Sequence, residues 1–217
     1  MIADAMVRAA EVLRSATKVL LACHINPDGD TMGSALGLGL GLHAAGKAVT
    51  LVCADDIPLP YRFMPGSGGF VRAVPDESFD VAVALDCDGE RRLGSAAPGV
   101  RRAAHVIEID HHTGTDRFGD TVIVDPTASA TAELVFGLLH LLAIPVTGEI
   151  ATNLYVGILT DTGSFRFANT SSRCLRIASE LVDCGADPFH IADHVYETRS
   201  YPATVLLGRA LNSLKLS

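Results

Sequence analysis

The chain has 217 residues, a formal net charge of −8, 48% hydrophobic residues and 19% charged ones. So apolar a composition excludes a disordered chain, and so acidic a one excludes a protein that wraps long duplex nucleic acid, which needs a basic surface. The five cysteines (Cys23, Cys53, Cys87, Cys174 and Cys184) form no C-x-x-C pair. That argues against a disulfide framework or a cysteine-based zinc site and fits a reducing compartment.

The first 16 residues carry Asp4, Arg8, Glu11 and Arg14 at helix-face spacing, the pattern of an amphipathic helix and not of a signal peptide. The continuous apolar runs 18–23, 48–53, 80–85 and 104–109 read as strands buried on both faces, with a short fifth at 121–124. Helices are predicted over 31–46, part of 89–102, and 129–143. The first of these overlaps Leu36, Leu38, Leu40 and Leu42 alternating with Gly37, Gly39 and Gly41, a strand period. A helix is still expected, because the segment must cross back over the sheet and small residues let it approach closely. The apolar stretch 134–146 has 13 residues, short of the roughly 20 a membrane span needs, so a cytoplasmic chain without membrane contact is expected. Beyond 147 the segments 147–160, 171–184, 188–197 and 202–214 read as helical, with Gly185 as a stop and Asp187-Pro188 as a helix start. The predicted fold class is α/β: a mainly parallel five-stranded sheet flanked by helices, followed by a helical segment.

Several apolar runs end in Asp or His. The first leads into His24-Ile25-Asn26-Pro27-Asp28-Gly29-Asp30, another ends at Asp86, another at Asp110-His111-His112, and YVGILT (strand or helix) ends at Asp161. In open parallel sheets ligands bind beyond the carboxyl ends of the strands, so these side chains can share one rim. Asp28, Asp30, Asp86 and Asp161 would bring four negative charges together, which calls for counter-charge. Two divalent cations balance them, and His24 and His111 add imidazole donors that suit Mn²⁺, Fe²⁺, Co²⁺ or Zn²⁺ better than Mg²⁺. A pair of ions ~3.5–4 Å apart is a device for hydrolysing phosphate esters. Pro27 and Gly29 make a turn after the strand, not a helix, the expected carrier of His24, Asp28 and Asp30.

HINPDGD at 24–30, LDCD at 85–88, DHH at 110–112 and GILTDTGSFRF at 157–167 resemble, in order, the four motifs of the DHH phosphoesterases. The resemblance spans about residues 18–170 and is strongest to the oligoribonuclease/pAp-phosphatase (nanoRNase) branch. It implies two Mn²⁺ ions, with Co²⁺ or Mg²⁺ as substitutes. His24, Asp28 and Asp86 would hold one; Asp30, Asp86, His111 and Asp161 the other, with Asp86 bridging. It further implies that His112 touches the phosphoryl oxygens, that Asp110 orients the imidazoles beside it, and that Arg166 contacts a substrate phosphate. The implied activity is hydrolysis of short RNA, of linear dinucleotides such as pApA, or of 3′-phosphoadenosine 5′-phosphate (pAp).

The branch also carries a DHH-associated C-terminal domain that holds the nucleotide. Residues 1–200 are accordingly expected to be the catalytic domain, and 201–217 the start of a linker towards such a domain, which this sequence does not include. A manganese pyrophosphatase, a RecJ-type exonuclease and a dinucleotide-sensing module are the competing expectations. A Rossmann cofactor site is excluded, because the first turn reads HINPDGD and not G-x-G-x-x-G. The apolar stripe at 129–143 leaves room for a homodimer face.

Overall fold

A computed structural model of the chain describes residues 2–215, so the last two residues of the expected linker lie outside it. In chain order the elements are α1 (Ile2–Ser15), β1 (Lys18–Cys23), α2 (Gly29–Ala44), β2 (Ala48–Val52), β3 (Phe70–Val71), β4 (Val81–Leu85), α3 (Ala97–Val100), β5 (His105–Asp110) and β6 (Thr121–Val124). Five helices follow: α4 (Thr131–Leu141), α5 (Gly148–Asp161), α6 (Ser172–Asp183), α7 (Pro188–Ala192) and α8 (Tyr201–Asn212). Among the described residues no helix is long and apolar enough to cross a membrane.

The strands form one sheet in the order β3-β2-β1-β4-β5-β6, with every neighbouring pair parallel. The sheet has six strands, one more than expected from the sequence. The additional one, β3, pairs only Phe70 with Leu51 and Val71 with Val52, too short a run to produce a periodic signal. The chain winds outward from β1 to β2 and β3, then returns to the other side of β1 for β4. A crevice therefore opens at the carboxyl ends of β1 and β4, where parallel sheets bind ligands.

Alternation along the strands sorts two cores. Val19, Leu21, Val83, Ile107 and Ile109 face α1, α2 and α4, while Leu20, Ala22, Ala82, Ala84 and Val106 face a thinner layer containing Leu93, Ala96 and Val100. That thin layer holds the helix expected over part of 89–102, which is short. Gly94 takes a left-handed turn (φ 55°) and Pro98 sits two residues before the end of α3, so only Ala97–Val100 is α-helical and the preceding turns are 3₁₀.

The glycines of α2 have a different use from the one expected. Only Gly39 looks onto the sheet, where an added Cβ would lie 3.2 Å from Leu51 and 3.3 Å from Leu21. Gly33 and Gly37 recur every fourth residue and form a seam against α5. A Cβ on Gly33 would lie 2.3 Å from the Asn153 carbonyl oxygen, and one on Gly37 2.7 Å from Leu154. A backbone oxygen cannot swing away as a side chain can. Gly33→Ala should therefore force α2 and α5 apart and destabilise the fold by roughly 3 kcal/mol or more, read as a lowered urea midpoint. An unchanged midpoint would mean that the seam is not packed this closely.

Candidate metal centre

Every candidate of the rim reaches it by a local rule. Asp28 caps α2, its Oδ1 accepting from the Asp30 and Thr31 amides at 3.1 Å each. Capping fixes Asp28 at the mouth of the crevice and puts Asp30 in the first turn, buried. Thr31 Oγ1 donates to the Leu85 carbonyl at 2.9 Å and ties α2 to the end of β4. Asp86 follows β4 directly, with a left-handed backbone (φ 60°) and 2% exposure. Asp110 is the last residue of β5, and His111 and His112 follow it. Asp161 is the last residue of α5, so YVGILT is helix and not strand.

Two constellations meet at Asp86. On one side His24 Nε2 lies 3.6 Å from Asp28 Oδ1 and 3.4 Å from Asp86 Oδ2. On the other, His111 Nε2 lies 3.8 Å from Asp30 Oδ2, 3.6 Å from Asp86 Oδ1 and 3.1 Å from Asp161 Oδ2. The two oxygens of Asp86 thus face different imidazoles. His24, Asp28 and Asp86 offer ligand atoms within 4.8 Å of one another, as do Asp30, His111 and Asp161.

Both rings turn Nε2 towards these carboxylates. His24 Nδ1 donates to the Ile25 carbonyl at 2.8 Å, and His111 Nδ1 to the Ala128 carbonyl at 3.3 Å. A carbonyl only accepts, so each contact fixes a proton on Nδ1, and in the neutral ring that a cation requires the lone pair is then on Nε2. Arg92 Nη2 approaches the same His24 Nδ1 to 3.2 Å, but a nitrogen already donating cannot accept from it. Both Nε2 atoms are buried without a hydrogen-bond partner. Buried polar atoms are rarely left so, and two of them opposite the same carboxylate fit a pair of cations.

The electrostatics point the same way. Burial alone would lower the His24 pKa, but the adjacent carboxylates of Asp28 and Asp86 outweigh it and lift the value to about 10. Burial is likewise overcome at His111 by Asp161, Asp30 and Asp86, again reaching about 10. Burial, then the charges of Asp86 and Asp161, push Asp30 well above the usual carboxylate range. The crevice thus pulls positive charge towards both rings. A divalent cation meets that demand and leaves the imidazoles neutral, as ligands must be.

His112 belongs to a different arrangement. Its Nδ1 lies 2.8 Å from Asp110 Oδ1 and 3.6 Å from Asp86 Oδ1, and its side chain is 49% exposed. Asp110 orients only this ring; the expectation that it also serves His111 is corrected, because His111 leans on the Ala128 carbonyl instead. The other Asp110 oxygen accepts from Arg117 Nη1 at 2.6 Å, and the same nitrogen donates to Glu108 Oε1 at 2.7 Å. Sequence reasoning missed Arg117 and Glu108. The signal was a charged residue inside the apolar run of β5, since a fully buried carboxylate needs a partner. It also missed the hold of α4 on Asp30: Thr131 N donates to Oδ2 at 2.6 Å and Ala132 N to Oδ1 at 2.9 Å. Among the described residues Arg166 forms no ion pair with these carboxylates. Its Nε donates to the Gly163 carbonyl at 2.7 Å within its own turn.

Known proteins are similar to this chain. A curated bifunctional oligoribonuclease and PAP phosphatase NrnA from Thermus thermophilus is 40% identical over 94% of this chain and 62% of its own length. The protein of the same name from Bacillus subtilis is 27% identical over 83% of this chain and 58% of its own. The chain thus spans about 60% of the length of these relatives. A crystal structure of an exopolyphosphatase-related protein from Bacteroides fragilis, 28% identical, superimposes with a TM-score of 0.90 over 99% of this chain and 66% of that one. Residues 18–158 match the family described as DHH family, N-terminal domain. That stretch runs from β1 into α5 and takes in every candidate metal ligand apart from Asp161; the chain belongs to the DHH family.

Proposed function

We propose that this chain carries the two-metal phosphoesterase centre of an enzyme that hydrolyses short oligoribonucleotides, linear dinucleotides such as pApA, and pAp. The observation that carries the reading is the pair of partnerless Nε2 atoms on opposite sides of one carboxylate. His24, Asp28 and Asp86 would hold one ion; Asp30, Asp86, His111 and Asp161 the other. Mixed oxygen and imidazole donors admit Mn²⁺, the ion that the family resemblance implies, as well as Fe²⁺, Co²⁺ or Zn²⁺. Bound there, the ions supply positive charge for the phosphoryl oxygens and make water acidic enough to act as a nucleophile near neutral pH. The names of the 40% and 27% identical relatives support the substrate class.

His112 contributes by holding a proton towards the phosphoryl oxygens. Its hydrogen bond with Asp110 raises its pKa above the ordinary histidine value, against the opposing effect of burial. A raised value means that the cationic form is present below that pKa and is lost as pH rises through it. Asp110→Asn removes the cause, so the alkaline limb of the pH–rate profile should move to lower pH. An unmoved limb would dissociate His112 from the rate.

The substrate reading is tested by incubating the protein with Mn²⁺ and pApA, longer RNA, pAp or pyrophosphate, with products followed by chromatography. AMP from pApA and from pAp is expected, and chelation should abolish it. Turnover of pyrophosphate alone would overturn the assignment.

A further inference from the structure

The two halves of the centre are held by different parts of the chain. The His24 side depends on its own turn: Ile25 orients His24, and the Asp30 and Thr31 amides orient Asp28. The His111 side depends on the segment from the end of β6 into the first turn of α4. Its Ala128 carbonyl takes the His111 proton, the Thr131 and Ala132 amides grip both oxygens of Asp30, and Thr131 Oγ1 donates at 3.0 Å to the Asp86 oxygen that faces His111.

That segment is itself clamped from the far side, by residues that touch no candidate ligand side chain. Arg173, on α6, donates from Nε to Glu133 at 2.8 Å and from Nη1 to Asp125 at 3.0 Å, gripping both ends of the segment at once. The other Glu133 oxygen accepts the Ser129 amide at 2.8 Å. Asn169 Nδ2 donates to the carbonyls of Ser129 and Asp161, at 3.1 Å each, and Ser129 Oγ donates back to the Asn169 carbonyl at 2.5 Å. One amide thus ties the end of α5, which bears Asp161, to the segment that supports His111 and Asp30. Among the described residues neither Arg173 nor Asn169 has a hydrogen bond to the His24 side.

We infer that Asn169 and Arg173 are positioning residues for one metal position only, the one at His111, Asp30 and Asp161. The inference rests on the two-metal reading above. It makes the two positions separable: one is built into the first turn of the sheet, the other is assembled late in the chain and can be loosened from outside.

Mn²⁺ titration by calorimetry, with the spin-coupled pair followed by electron paramagnetic resonance, tests this without any substrate. Asn169→Asp keeps the size of the side chain but sets a carboxylate against two carbonyls; Asn169 lies in an exposed loop, so the core is left alone. In a background of Asp28→Asn, which weakens the His24 side, it should reduce the remaining affinity about 10–100-fold, the usual cost of losing a ligand's support. In a background of Asp161→Asn, it should change nothing. Arg173→Gln should repeat both results, with far-ultraviolet circular dichroism of the metal-free proteins showing an intact fold. Equal weakening in both backgrounds, or none in either, would overturn the inference while leaving the two-metal reading in place. A wild-type protein that binds fewer than two ions would overturn both.

Discussion

Asp86→Ala is expected to lower Mn²⁺-dependent turnover of pApA by at least ~10³-fold, about 4 kcal/mol of lost transition-state stabilisation. The size follows from the position. Oδ2 faces the His24 side at 3.4 Å and Oδ1 the His111 side at 3.6 Å, so one side chain serves both ion positions. Removing any other candidate leaves one position with its full set. Removing Asp86 takes an oxygen from each and the charge that lies between them. The metal-free variant should fold normally, because the crevice loses one of several mutually repelling carboxylates. Steady-state rates at saturating Mn²⁺ check the first part and circular dichroism the second. Wild-type turnover by the purified variant would end the two-metal assignment.

Arg117→Met should destabilise the protein by roughly 3–5 kcal/mol, the usual cost of stripping the partner from buried charge. Glu108 and Asp110 are both fully buried, and one guanidinium nitrogen lies between them. Glu108 keeps the Phe118 and Gly119 amides at 2.9 and 3.1 Å, but neither amide carries a charge. Burial would raise the Asp110 pKa; hydrogen bonds from His112 and Arg117 overcome it and bring the value down to about 2. A carboxyl with a depressed pKa stabilises the fold above its unfolded value and loses that contribution as pH falls through the folded one. The gap between wild type and variant should therefore be widest near neutrality and should narrow as pH falls from about 4 towards 2. Urea midpoints across that range measure it. A constant gap would place the cost in lost packing of the arginine stem and not in its charge. Methionine keeps much of that stem, which makes the distinction fair.

Much of this architecture was legible in the residues, for definite reasons. The runs at 18–23, 80–85 and 104–109 are continuous because a central parallel strand is covered on both faces, and each became a strand; the run at 48–53 became one too, although only Val52 of β2 is buried. The rim followed from what stands at their ends, so His24, Asp86 and His111 could be placed at one crevice before any coordinates. Asp161 needed more, since YVGILT reads equally well as strand or helix and only packing against α2 decides. Other features leave little trace in a single chain. Two residues of β3 show no period. The break at Gly94 is a backbone event inside a plausible helix. The support of Asp30 by α4 comes from main-chain amides, which every residue possesses, so no letter marks it. Glu108 could have been found, because an acid within a buried strand announces a hidden base. Which base it was depended on a loop that brings Arg117 back to β5.

The left-handed backbone at Asp86 has a consequence for how this protein tolerates change. An L-residue there stores ~1–2 kcal/mol that glycine would release, although a short polar side chain bears the conformation better than most. Main-chain comfort and the needs of hydrolysis therefore ask for different amino acids at one position. A selection for heat resistance alone would be drawn to replace this residue early, and the survivors would be sturdier and inert.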